Sequence, residues 1–193
     1  MNGMMGELLI ATGEFTDAKT YIAEQLAYSE ELKYQKGITK AYISKGQVHF
    51  YESNLVEASK AFSDCITLSD KIKYFPSKEE AFLWQIDIAL KSRDLIKAKE
   101  KVNFLKDNDE LEDTFGLLLR QGKVWAAENR ITEAKNAFLE VKTDSKNHLL
   151  MAAAFNELSK IKSSSKSEAF GEIEKLYNKT PHYSIKMKMD ELS

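Results

Sequence analysis

Three histidines, one cysteine and several runs of carboxylates are the residues of this chain whose types could do chemistry. His49, His148 and His182 are scattered, and none has a second metal-type ligand three or four places away. A zinc site needs convergent ligands, so no metal is expected. Cys65 lies beside Ile66, one turn after Phe62, on the apolar side of a helical pattern. It reads as a buried small hydrophobe, since a nucleophile would need a basic partner that the local sequence lacks. Carboxylates gather at Glu79-Glu80 and from Asp107 to Asp113, but they crowd helix starts, where negative charge favours the helix dipole. Lys106 to Asp113 reads as a solvated turn. No glycine-rich phosphate loop is present, and no strand pattern to carry one. With no convergent titratable cluster, neither enzymatic activity nor a cofactor is expected. What remains is binding chemistry: the aromatic anchors Tyr51 and Trp84, and a basic pair, Arg120 and Lys123, three places apart. Aromatic and arginine side chains often carry interface energy. The competing readings are a core position for Trp84 and a solvated face for the basic pair.

The elements that would position these residues are helical. Hydrophobic residues make up 43% and charged residues 30% of 193 residues, as in an ordinary soluble helical protein. Only two prolines and eight glycines occur, which favours long helices because both residues are costly inside one. The net charge of −2 argues against nucleic acid, whose binders usually carry a basic excess. One cysteine cannot close an internal disulfide, which fits a reducing compartment. No apolar run is long enough to cross a bilayer, so no membrane span is expected. Met1 to Ile10 does not read as a signal peptide. The expected compartment is the cytoplasm.

Four stretches look alike. Each has an alanine early in a helix and an apolar residue four places on: Ala18 with Ile22, Ala58 with Phe62, Ala98 with Val102, Ala134 with Phe138. The alanines recur at a nearly fixed spacing, and the units they mark read as two helices each. Such a repeat implies a stacked helical array with a long concave surface. The units run over about 1–34, 35–74, 75–108, 109–144 and 145–180, with 181–193 a capping segment or tail. Turns are expected at Gly13-Glu14, Ser53-Asn54, Arg93-Asp94 and Asn129. Asn54 reads as an N-cap, and Ser77 to Glu80, after a linker closed by Pro76, as a capping box. A polar break at Ser163-Ser164-Ser165 and a second capping box from Ser165 to Glu168 precede Ala169, Ile173 and Leu176. Pro181 ends that helix, and Tyr183 to Leu192 reads as a short capping helix or a frayed tail.

The repeats resemble tetratricopeptide repeats, in a variety longer than the common one. In the second unit Tyr42, Gly46, Leu55, Ala58 and Phe62 match that family's pattern, while Lys45, Ser53 and Cys65 depart from it. Gly6, Gly13, Phe15 and Ala18 match in the first unit, and Gly122, Trp125, Ala134 and Phe138 in the fourth. The third keeps little beyond Leu95 and Ala98, with Ile86 where a small residue is expected. The resemblance covers residues 4 to 142 well and the rest weakly. It implies an all-α fold, a right-handed α-solenoid of antiparallel helix pairs, with no enzymatic activity. It also implies a groove, lined by the first helix of each pair, that binds a peptide or partner helix.

Carried onto this chain, the groove positions are Glu7, Lys40, Ile43, Ser44, Gln47, Tyr51, Leu83, Trp84, Asp87, Lys91, Leu119, Arg120 and Lys123. The variant of the family that grips a terminal carboxylate is not expected, because Ile43, Gln47, Glu80, Leu83 and Trp84 stand where several of its basic and amide residues belong. The expected function is therefore a protein-interaction scaffold with a protein or peptide partner. A second reading is a sensory or regulatory segment of a larger bacterial signalling protein, prompted by a start inside the first repeat. End units with apolar faces would also let a second copy stack, giving a homo-oligomer.

Overall fold

The computed structural model describes residues 2–161 and 166–192, and they form eleven helices and no strand. Ten helices make five consecutive antiparallel pairs. These are α1 (Asn2–Thr12) with α2 (Phe15–Glu31), α3 (Gln35–Tyr51) with α4 (Leu55–Ile72), and α5 (Phe75–Lys91) with α6 (Leu95–Lys106). Then come α7 (Thr114–Ala127) with α8 (Ile131–Asp144), and α9 (His148–Lys160) with α10 (Lys166–Lys179). The eleventh, α11 (Tyr183–Asp190), stands alone. The polar break expected at Ser163 to Ser165, and the start of the second expected capping box, lie outside the described residues.

The turns explain the regularity. Gly13, Lys33, Ser53, Lys73 and Arg93 are evenly spaced along the chain, and all have left-handed backbone, with φ between +52° and +86°. Asn129 repeats the conformation at φ +62°. The amide after each such residue donates to the carbonyl five places back, as from Tyr34 to Ser29 at 2.7 Å, Asn54 to His49 at 2.8 Å and Asp94 to Ala89 at 2.8 Å. This Schellman geometry satisfies the last carbonyls of one helix and starts the next at once. The period seen in the alanines is thus two equal helix-and-turn steps. The turns leave a faint sequence signal, because lysine, serine and arginine occupy positions that glycine would take at least cost.

In three of the first four pairs, a glycine meets a large residue sixteen positions later. A β-carbon on Gly46 would lie 2.6 Å from the Phe62 ring, and one on Gly122 would lie 2.6 Å from the Phe138 ring. Gly6 faces Ile22 in the same way at 3.3 Å. The third unit has Ile86 and Val102 at the corresponding places, both fully buried, so volume is moved from one partner to the other. This accounts for the isoleucine that breaks the repeat pattern.

Several expected features differ. Pro76 does not close a linker but sits in the first turn of α5, where its missing N–H is no loss. Ser77 is no N-cap: it is buried inside α5, with its hydroxyl 3.0 Å from that of Thr39. Glu79 is not a capping-box residue either. Its buried carboxylate reaches across to the next unit and accepts from the amides of Glu112 at 3.2 Å and Asp113 at 2.6 Å. The segment read as a solvated turn is therefore pinned at its C-terminal end by a charge-assisted clamp. Asn54 occupies an N-cap position, but its side chain makes no capping bond. Asp94 and Asp113 do cap their helices, accepting from the amides of Lys97 at 3.1 Å and Gly116 at 2.8 Å.

The layers follow from which helices touch. The odd-numbered helices contact one another in sequence, α1 to α3, α3 to α5, α5 to α7, α7 to α9 and α9 to α11. Among the described residues the even-numbered helices contact only their sequence neighbours and one another nowhere. The odd set therefore forms the inner, concave layer of a curved array and the even set the splayed outer layer. α11 then closes the inner layer by touching α1. Its Ile185 is fully buried with Ala152, Phe155, Ile173 and Leu176, so the last segment is a structural cap and not a frayed tail.

Three expectations on stability follow. Gly122→Ala should lower unfolding free energy by about 1–2 kcal/mol, because overpacking against Phe138 outweighs the helix propensity gained. Gly171→Ala, whose added methyl group meets nothing within 4 Å, should instead raise it by about 0.5–1 kcal/mol. Urea denaturation that moved both variants the same way would refute the contact. Arg93→Gly should stabilise by about 0.5–1 kcal/mol by relieving its left-handed backbone; a lower urea midpoint would show that the turn carries no such cost.

Candidate functional site

Closure of the inner layer leaves a concave cavity of about 500 Å³. Its walls come from α3, α5, α7, α9 and α11. The apolar floor is made by Leu83, Trp84, Leu119, Leu150, Ala153 and Met187. Of the polar and aromatic residues proposed from sequence, Gln47, Tyr51, Trp84, Asp87, Arg120 and Lys123 line it. Glu7 and Lys40 are exposed and do not line the cavity. Ile43 is buried in the core with Ala58, Phe62 and Ala81. Ser44 is buried and Lys91 sits outside, with its ammonium 3.1 Å from the Ser53 hydroxyl and 4.9 Å from the centre of the Phe50 ring. These positions fall off the groove because the inner helices present only one stripe to it.

One end of the cavity is aromatic. Trp84 stacks on Phe62 with centroids 5.9 Å apart and rings within 3° of parallel. It also meets Phe50 edge-on at 5.2 Å and Tyr51 at 5.9 Å. Trp84 is half-buried: it packs against the core and also lines the cavity. Tyr51 continues the cluster to Phe15 at 5.8 Å and to Tyr183 of α11 at 5.5 Å. Tyr183 in turn packs edge-on against Phe15 at 5.0 Å. A β-carbon on Gly13 would lie 2.6 Å from the Tyr183 ring, so that glycine makes room for the closure as well as the turn. Burial pushes the Tyr51 hydroxyl up to about 12, and it stays protonated.

The middle of the cavity is an ion network. Arg120 is buried, contrary to the reading of its helix face as solvated. Its guanidinium pairs with Asp87 at 2.5 Å and donates to the carbonyls of Leu83 at 2.8 Å and Gly116 at 3.0 Å. Lys123 reaches the other Asp87 oxygen at 3.0 Å. Burial alone would raise the Asp87 carboxyl, but the two cations outweigh it and hold it below the ordinary carboxylate value. Neither cation is free as a ligand arm. The remaining cation on the wall, Lys188, pairs with Glu191 of the same C-terminal segment at 2.7 Å.

Four further carboxylates line the cavity, Glu79, Glu80, Glu112 and Asp113. Glu80 stays open to solvent, yet the crowded walls desolvate it and the nearby Glu7 carboxylate adds repulsion, so its pKa is raised. The Gln47 amide donates to it at 3.3 Å. The wall residues supplied by α9 and α11, among them Leu150, Ala153, Ser184 and Met187, were missed from sequence. Those on α9 were within reach of the unit spacing. Those on α11 carried no repeat signal, because that helix has no partner.

Reactive groups are few. Burial pushes the Cys65 thiol up to about 12, leaving it protonated and unreactive at neutral pH. Among the described residues no group of three or more histidine, cysteine, aspartate or glutamate side chains could hold a metal ion. Nor is any described helix long and apolar enough to cross a membrane. Comparison of the chain with protein-family models, curated proteins and solved structures finds no match to any of them.

The network makes a pH-dependent prediction. Asp87→Asn leaves the Arg120 guanidinium buried without its main counter-charge and should destabilise the fold by about 3 kcal/mol. Because the folded pKa of Asp87 is depressed, its contribution is complete above the unfolded value, near 4, and is lost as pH falls through the folded value. Acid-unfolding curves should therefore show a loss in the wild type that Asp87→Asn lacks. Identical acid transitions would show that the pair contributes nothing.

Proposed function

We propose that this chain is a non-enzymatic interaction scaffold of the tetratricopeptide kind, a right-handed solenoid that binds a peptide or partner helix in its concave groove. The observation that carries the reading is the single inner layer of odd-numbered helices around a cavity of about 500 Å³. A mostly apolar concavity with a few fixed polar groups is the usual form of a ligand site. The groove joins that form to half-buried aromatic rings of the type that anchors interfaces. Its central cations are spent on Asp87, which leaves no converging basic pair to grip a terminal carboxylate.

Titration calorimetry with peptides selected on the purified chain tests this. Gln47→Ala combined with Leu150→Ala trims opposite walls of the groove and should weaken binding at least tenfold, about 1.4 kcal/mol. Lys135→Ala, at an exposed position on α8 of the outer layer, should leave affinity unchanged. Equal binding by the groove variant, with its fold intact by circular dichroism, would remove the groove from the site.

A further inference from the structure

The charges that line the groove are not evenly spent. All three cations on its walls are held in ion pairs within the chain: Arg120 and Lys123 share Asp87, and Lys188 pairs with Glu191. Two of the carboxylates are likewise engaged, Glu79 by the amides of Glu112 and Asp113, and Asp113 by the amide of Gly116. Glu80 accepts from the Gln47 amide at 3.3 Å and from the Trp84 side chain, and the Glu112 backbone amide donates to Glu79. Glu80 and Glu112 both line the cavity, both are exposed, and among the described residues no lysine or arginine forms an ion pair with either. The lining thus carries five carboxylates, Glu79, Glu80, Asp87, Glu112 and Asp113, against three cations, an excess of negative charge beside an apolar floor.

We infer that the occupant of the groove is a peptide segment that presents a lysine or arginine side chain to Glu80 and Glu112, with its adjacent apolar side chains on Leu83, Trp84 and Leu119. This deepens the reading of the groove as a peptide site and rests on it. An anionic or carboxylate-ended ligand would meet the excess of carboxylates and find each wall cation already held in an ion pair. A cationic side chain supplies the missing counter-charge, and its stem packs along apolar wall. The Trp84 side chain hydrogen-bonds Glu80 and so fixes that carboxylate on the wall that the cationic side chain would approach. Burial and the Glu7 carboxylate raise the pKa of Glu80 even against the attraction of Lys40 and Arg120.

The test is selection of a random dodecapeptide display library on the immobilised full chain. Titration of an enriched peptide then follows, against wild type and against Glu80→Gln combined with Glu112→Gln. The double variant removes two charges from exposed side chains and leaves the backbone amide of Glu112 bound to Glu79, so its fold should be unchanged by circular dichroism. Enrichment of lysine- or arginine-bearing peptides, with at least tenfold weaker binding to the double variant, is the expected result. Replacing the basic residue by norleucine should reproduce that loss. Enrichment of neutral or acidic peptides that bind both proteins equally would overturn the cation preference while leaving the groove as a peptide site. Failure to enrich any peptide would overturn both.

Discussion

The first four units of this protein each close on a contact between two residues sixteen positions apart. At Gly46 and Phe62, or Gly122 and Phe138, the helix backbones approach so closely that a single methyl group would intrude on the ring. That distance sets how the two helices of a pair lie, and so how the next pair can stack. Where the third unit departs, Ile86 and Val102 fill the same space by exchanging sizes. Interiors pack at near-crystalline density, so conserving volume matters more than conserving identity.

The turns impose the second constraint. A left-handed residue recurring at constant spacing through the first five turns leaves little freedom in the angle between helices. Together the turns and the contacts bring all the odd-numbered helices into one layer. Curvature of that layer then has a consequence no single unit contains: α11 meets α1, and Tyr183 joins Phe15 and Tyr51 in one aromatic cluster. The groove becomes a walled cavity, with part of its wall drawn from the end of the chain.

Closing the cavity also decided the state of its charges. In a short sequence window Arg120 and Lys123 look like two cations on an exposed helix face. Folded, they share Asp87, which sits on the neighbouring inner helix, α5. Glu79 shows the same principle in reverse. Its position near a helix start suggested local capping, but its partners are amides of the following unit. Local rules read such residues wrongly because a buried charge must be satisfied by whatever the tertiary structure brings near, and burial itself is a tertiary property.

Helical periodicity, the scarcity of proline and glycine, and the recurrence of Ala18, Ala58, Ala98 and Ala134 were enough by themselves to establish an all-helical array of paired units. They were enough because helix pairing is governed by contacts between chain neighbours, a range over which spacing along the chain still maps onto one helix face. The resemblance to tetratricopeptide repeats also implied groove positions, of which Gln47, Tyr51, Trp84, Asp87, Arg120 and Lys123 line the cavity while Lys40 and Lys91 do not. The sequence could not say which charges pair, that Ser44 is buried, or that α11 completes the wall. Those outcomes depend on small rotations between successive units, which accumulate along the array and are decided only when its two ends meet.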